Sequence, residues 1–227
     1  MHYKNIIEGI FINRPNRFIA ICEIGGIKEV CHVKNTGRCR ELLIPGATVF
    51  LEKSENPERK TKYDLVAVLK GDKLFNIDSQ APNKVFYEWL KNGGLFDEAS
   101  LIKPEYKYKN SRFDFYVEYE DKKAFIEVKG VTLEDNGVLL FPDAPTLRGE
   151  KHIKELISAL DEGYEAYIVF IIQTEEAKYF TPNKKTHPSF AEALKTAEEK
   201  GVRIVCLNCH TKADSLKIKD YIPLKLD

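Results

Sequence analysis

The chain has 227 residues, enough for one large core or two small ones, and its 43% hydrophobic and 31% charged content excludes a disordered or fibrous class. Thirty-five Lys and Arg balance thirty-five Asp and Glu, and the resulting net charge of zero argues against a protein that coats nucleic acid indiscriminately. No apolar run reaches the roughly eighteen residues of a membrane span, and the N-terminal MHYKNIIEGIF lacks the apolar stretch of a secretory signal, so a cytoplasmic protein without a membrane partner is expected.

From Gly9 to Phe75 the sequence is a series of strand-like runs without helical periodicity: Gly9–Asn13, Arg17–Ile24, Ile27–Val33, Ala47–Glu52, Tyr63–Lys70 and Lys73–Ile77. Gly25-Gly26 is a hairpin turn, and Pro45-Gly46 and Gly71-Asp72 punctuate later strands. So many short strands in so little chain suit an OB-like barrel, which leaves no open edge, over residues 1–82. Three loops of this unit are basic. Lys34, Arg38 and Arg40 surround Asn35, Thr36 and Gly37; Arg14 and Arg17 bracket Pro15-Asn16; Arg59 and Lys60 form a third turn. Each alone reads as solvated charge, but together guanidinium, ammonium, amide and backbone N–H groups can take phosphate oxygens, which points to a nucleic-acid surface.

Residues 78–82 form a connector, and Asn83–Lys91 a helix stopped by Asn92-Gly93-Gly94, with Val85, Phe86, Trp89 and Leu90 as its buried stripe. Glu88 lies beside that stripe and reads either as a surface glutamate or as a carboxylate turned to a site. Next come two alternating runs, Arg112–Tyr119 and Ala124–Val131, around Glu120-Asp121-Lys122-Lys123, an antiparallel hairpin. A loop centred between Asp121 and Lys122 sets Asp114 opposite Lys129 and Tyr116 opposite Glu127. Asp114, Glu127 and Lys129 then share one face, while Phe113, Phe115, Val117, Ile126 and Val128 point to a core on the other. Two carboxylates on neighbouring strands can share a hard cation, Mg²⁺ or Mn²⁺, and a lysine two residues on can orient or help deprotonate an attacking water. The same trio is also ordinary on a solvated ribbon. Its pattern, Asp then thirteen residues then Glu-Val-Lys, resembles the PD-(D/E)xK nuclease signature, with Phe113 where the proline would stand.

The remainder alternates: a helix from Thr146 to Glu162, a strand Ala166–Gln173, a helix Pro188–Lys200, a strand Val202–Leu207, then a last strand and tail over 215–227, which implies parallel strands reached across helices. Arg148, Lys151, His152 and Glu155 share one face of the first of these helices and can overlook the carboxylates. The five cysteines lack a disulfide framework; Cys206-Leu207-Asn208-Cys209-His210 is set aside as a haem motif because covalent haem needs export and Cys206 continues a buried strand, and as a zinc site it lacks an evident fourth ligand.

Several separated motifs carry a wider resemblance: Asn35-Thr36-Gly37-Arg38, Arg59-Lys60-Thr61, the hairpin with Val131-Thr132-Leu133, Phe141-Pro142-Asp143-Ala144-Pro145-Thr146, Arg148-Gly149, Lys151-His152 and Glu155-Leu156. In this order they resemble the sugar fermentation stimulation protein family along nearly the whole chain, although that family usually has proline where Lys34 stands. The resemblance implies an OB-like barrel, residues 1–82, followed by a restriction-endonuclease-like mixed-sheet α/β domain, residues 83–227. It further implies non-specific DNA binding and a link to sugar use, especially maltose metabolism, without implying turnover. Asp114 and Glu127 are the expected metal ligands, with Lys129 and Glu88 completing a catalytic set. Arg14, Arg17, Lys34, Asn35, Arg38, Arg59, Lys60, Arg148, Lys151 and His152 are the expected nucleic-acid contacts. The alternatives are an active metal-dependent nuclease on DNA or RNA, and a purely regulatory DNA-binding protein whose site holds metal without cleaving.

Overall fold

Residues 1–35 and 37–226 are described by the computed structural model; Thr36 of the first basic loop and Asp227 of the expected tail lie outside the described residues. Six strands come first: β1 (Ile6–Asn16), β2 (Ile19–Ile24), β3 (Ile27–Val33), β4 (Thr48–Lys53), β5 (Tyr63–Lys70) and β6 (Lys73–Asn76). β1, β2 and β3 form an antiparallel meander, β4 lies between β1 and β5, and a parallel pairing of Cys31–Val33 with Tyr63–Leu65 closes the ring. The result is a five-stranded closed barrel in OB-like order, as expected. Alternation puts Phe11, Ala20, Cys31, Val49, Leu51 and Leu65 inside it. Gly25 and Gly26, both at positive φ, reverse the chain between β2 and β3.

Asn76 begins the passage to the second part. Its N–H donates to the Gln173 carbonyl (2.9 Å), and the Gln173 amide returns bonds to Asn76 Oδ1 (2.9 Å) and the Asp78 carbonyl (3.0 Å). Asn76, Asp78 and Gln173 are buried, so this connector is stitched into the second domain. α1 (Ala81–Lys91) starts two residues earlier than expected, with Pro82 in the first turn, where a missing N–H costs nothing.

Then follow β7 (Ala99–Tyr108), β8 (Ser111–Tyr119), β9 (Lys122–Val131), β10 (Leu133–Asp135), β11 (Val138–Phe141), α2 (Leu147–Asp161), β12 (Glu165–Ile172), β13 (Tyr179–Pro182), α3 (Pro188–Glu199), β14 (Arg203–Lys212) and β15 (Ser215–Tyr221). The main sheet runs β15-β14-β12-β9-β8-β7, with β9, β12 and β14 parallel and the rest antiparallel, the expected mixed sheet. β10, β11 and β13 form a separate small sheet. α1 packs on one face through Val85, Phe86 and Leu90, and α2 and α3 cover the other through Ile153, Leu156, Phe190 and Leu194. Among the described residues no helix is long and apolar enough to cross a membrane.

The hairpin differs from expectation in register. The turn is Glu120-Asp121, with Glu120 at positive φ, so Tyr119 pairs with Lys122 and Tyr116 with Phe125 rather than with Glu127. The slip is two residues, which preserves parity and leaves Glu127 and Lys129 on the α2 face. A second difference is Phe113. The β8–β9 ladder stops at Phe115 and Ile126, and beyond it Phe113 turns to the α2 side to meet Tyr108 and Phe125 instead of joining Phe115 and Val117 under α1. Cys206 and Cys209 fall into opposite cores, which separates them as ligands for one ion.

Candidate metal and nucleic-acid site

β9 and β8 deliver Glu127, Lys129 and Asp114 into one cleft of about 510 Å³, whose other walls include Asn83 and Lys84 of α1 and Arg148 of α2. Asp114 sits where β8 leaves the ladder. Its carboxylate accepts the Asn83 amide (2.7 Å) on one oxygen and the Val128 N–H (2.8 Å) on the other. Burial, and then the Glu127 charge, push the Asp114 carboxyl above its ordinary pKa. Glu127 is 2% exposed. Burial raises its carboxyl too, but the His152 hydrogen bond and the Lys129 ammonium outweigh that and hold it below the ordinary range.

Those two partners share one oxygen. Glu127 Oε1 meets Lys129 Nζ (2.5 Å) and His152 Nδ1, while Oε2 is buried with no hydrogen-bond partner among the described residues. Arg148 Nε donates to His152 Nε2 at 3.5 Å, which leaves Nδ1 as the ring nitrogen that donates to Glu127. His152 therefore acts by fixing the carboxylate. This differs from the phosphate contact expected of it, because the side chain is buried at the inner wall. Immediately after Lys129, a Cβ at Gly130 would lie 2.6 Å from Gln173 Oε1 and 2.7 Å from Pro82 Cγ, so the strand passes the connector too closely for any side chain.

Glu88 does not join the cleft. It is exposed and pairs with the Met1 amino group (2.6 Å) in a separate groove under β15. Five residues along a helix turn it well away from Asn83, which is the α1 residue that reaches Asp114. Sequence reading missed Asn83, and its one signal was its place in the turn nearest the hairpin.

The barrel loops divide in a similar way. Arg14 donates to the carbonyls of Arg17, Asn35, Gly37 and Arg38, moulding the loop from within. Asn35 accepts the Gly37 N–H and donates to the Ile77 carbonyl. Lys34 turns inward to Glu52 (3.3 Å), Asp64 (3.5 Å) and Asp78 (3.7 Å), and Arg59 forks onto Asp64 (2.7 and 2.9 Å). These four thus serve the scaffold, contrary to the contacts expected of them: backbone carbonyls claim the donors of Arg14 and Asn35, and carboxylates beneath the loops claim those of Lys34 and Arg59. Arg17, Arg38, Arg40 and Lys60 remain exposed, as do Arg148 and Lys151 on α2. The Arg38 N–H donates to Asp143 (2.7 Å), which pins the loop against the second domain.

Asp64 carries a pH prediction. Burial raises its carboxyl, but Arg59, His32 and Lys34 more than offset this and hold it below the usual range. A depressed folded-state pKa contributes stability above the unfolded value, near 3.9, that is lost as pH falls through the folded one. Urea midpoints should decline on acidification below about pH 4, and Asp64→Asn should remove part of that decline. An unchanged acid limb in the variant would detach Asp64 from the effect.

Two family profiles match the chain: one described as SfsA N-terminal OB domain over residues 12–77, and one described as Sugar fermentation stimulation protein RE domain over residues 80–215. A sugar fermentation stimulation protein homolog of Clostridium beijerinckii is 59% identical over 226 residues, covering 100% of both chains. Another, from Ruminiclostridium cellulolyticum, is 56% identical with the same coverage. A solved structure of Pyrococcus furiosus SfsA in complex with Ca²⁺ superposes with a TM-score of 0.90 at 31% identity, covering 99% of this chain and 98% of that one.

Proposed function

The chain belongs to the sugar fermentation stimulation protein family, and from that premise we propose that it binds DNA without sequence preference and holds a divalent cation, Mg²⁺ or Mn²⁺, between Asp114 and Glu127. The observation that carries this reading is the buried, unpartnered Glu127 Oε2 in the cleft that Asp114 also lines. A carboxylate pair so buried, one member held above its ordinary pKa by burial and then by the charge of the other, suits a cation in the cleft. Among the described residues no set of three or more His, Cys, Asp or Glu side chains is disposed to cage a metal. Two carboxylates suffice for Mg²⁺, which keeps several waters and takes phosphate oxygens from a substrate. Support comes also from the relative whose solved structure contains Ca²⁺.

Bound there, such a cation would supply Lewis-acid stabilisation of charge on a phosphodiester. The chain's own groups do the rest. Arg148 and His152 fix Glu127, Asn83 and the Val128 N–H fix Asp114, and Lys129 stands beside Glu127 where its ammonium can orient water and offset developing charge. Regulation of sugar use, maltose included, is carried by the family resemblance and extends this reading to a role in the cell. A nuclease acting on DNA or RNA is the second reading, and Lys129 favours it, since cation binding and DNA binding alone need no ammonium there.

Backbone attraction through the barrel is testable. Replacing Arg17, Arg38 and Arg40 by alanine should weaken binding to mixed-sequence DNA and lower the slope of log affinity against log salt by about two, at roughly 0.7 to 0.9 per lost phosphate contact. Wild-type affinity and slope in that variant would remove the barrel from the interface.

A further inference from the structure

The turn that joins β7 to β8 forms one wall of a second cleft, about 640 Å³, that opens beside Asp114. Lys107, Lys109 and Arg112 come from the hairpin, and Arg148 and Lys151 face them from α2. The carboxylates in the lining are Glu105 and Asp114, so five cations meet two anions in a protein with no net charge. Lys107 is exposed, Arg112 pairs with Glu105 (2.8 Å) with both about 60% exposed, and Lys109 reaches Glu162 and the Ser158 hydroxyl (3.1 Å) on α2. Exposed pairs of this kind contribute little and are readily exchanged for a phosphate.

Position adds to charge. This cleft shares Asp114, Arg148 and Glu105 with the carboxylate cleft. The carboxylate cleft shares Ser79 with a third cleft at the barrel junction, and that one shares Gly37 with the groove of Arg17, Arg38 and Arg40. The carboxylates thus lie in a row of adjoining clefts, between the cations of the hairpin turn and those of the barrel loop. We propose that the hairpin turn is a second nucleic-acid grip, holding the phosphodiester backbone of the strand segment on the far side of the carboxylates from the barrel. Cations flanking the carboxylates on both sides let one strand be held across them, whereas the barrel alone would tether it at one end. The inference rests on the nucleic-acid reading of the carboxylate cleft.

The test compares wild type with Lys107→Ala/Lys109→Ala/Arg112→Ala, binding a labelled mixed-sequence DNA of about twenty nucleotides, single-stranded and duplex in separate arms, with Ca²⁺ over a series of salt concentrations. The variant should bind more weakly in the arm that wild type prefers, with a slope lower by about two. Glu162→Gln removes the Lys109 ion pair while keeping the cation, and should bind as well as wild type or better. Wild-type affinity and slope in the triple variant overturn the second grip, as does an equal loss in Glu162→Gln, which would make the effect structural. If wild type itself binds neither DNA, the underlying reading falls and this inference with it.

Discussion

Asp114→Asn and Glu127→Gln should each abolish the binding of Mg²⁺ or Mn²⁺ in calorimetry, whereas Lys129→Ala should keep the cation and lose any phosphodiester cleavage by about a hundredfold or more. Both acidic substitutions preserve side-chain shape, so the loss would report charge. A stability measurement makes the first result sharper. Because the Asp114 carboxyl is held above its ordinary pKa, by burial and then by Glu127, its ionised form costs the fold stability at neutral pH. Without metal, Asp114→Asn should therefore melt at or above the wild-type temperature. Added Mn²⁺ should raise the wild type and leave the variant unmoved, since only a state that binds ligand is stabilised by it. A variant that melts lower without metal and still responds to Mn²⁺ would mean that Asp114 is a structural acid.

The other large effect lies under the site. Phe125, two residues before Glu127 and on the same face, touches the rings of Tyr106, Tyr108, Phe113, Tyr116 and Tyr164, with centroids 4.7 to 5.9 Å apart. It is 1% exposed. Phe125→Ala would open a cavity among five rings that cannot all collapse onto it, and should cost about 3–5 kcal/mol by urea unfolding. Phe125→Leu refills much of that space and should cost less. A loss below about 1 kcal/mol for the alanine variant would show that the ring cluster does not anchor β9.

The barrel and the parallel strands β9, β12 and β14 were legible because turn glycines, alternation and apolar runs are local signals. β7 was not, since Pro104 and the charges of Lys103, Glu105 and Lys107 mark an edge strand that sequence alone reads as loop. The face shared by Glu127 and Lys129 followed from parity alone, and so survived a register set by a tighter turn at Glu120-Asp121. Direct partners were harder. Nothing in the local sequence says that Lys34 and Arg59 will be claimed by Asp64, or that Asn83 rather than Glu88 will reach the site, because those pairings depend on how barrel, helix and sheet dock.

Anomalous diffraction from crystals soaked in Mn²⁺ tests the central claim most directly. A single strong peak in contact with both the Asp114 carboxylate and Glu127 Oε2 is the predicted result. A peak elsewhere, or none at millimolar Mn²⁺ with the cleft open to solvent, would contradict it.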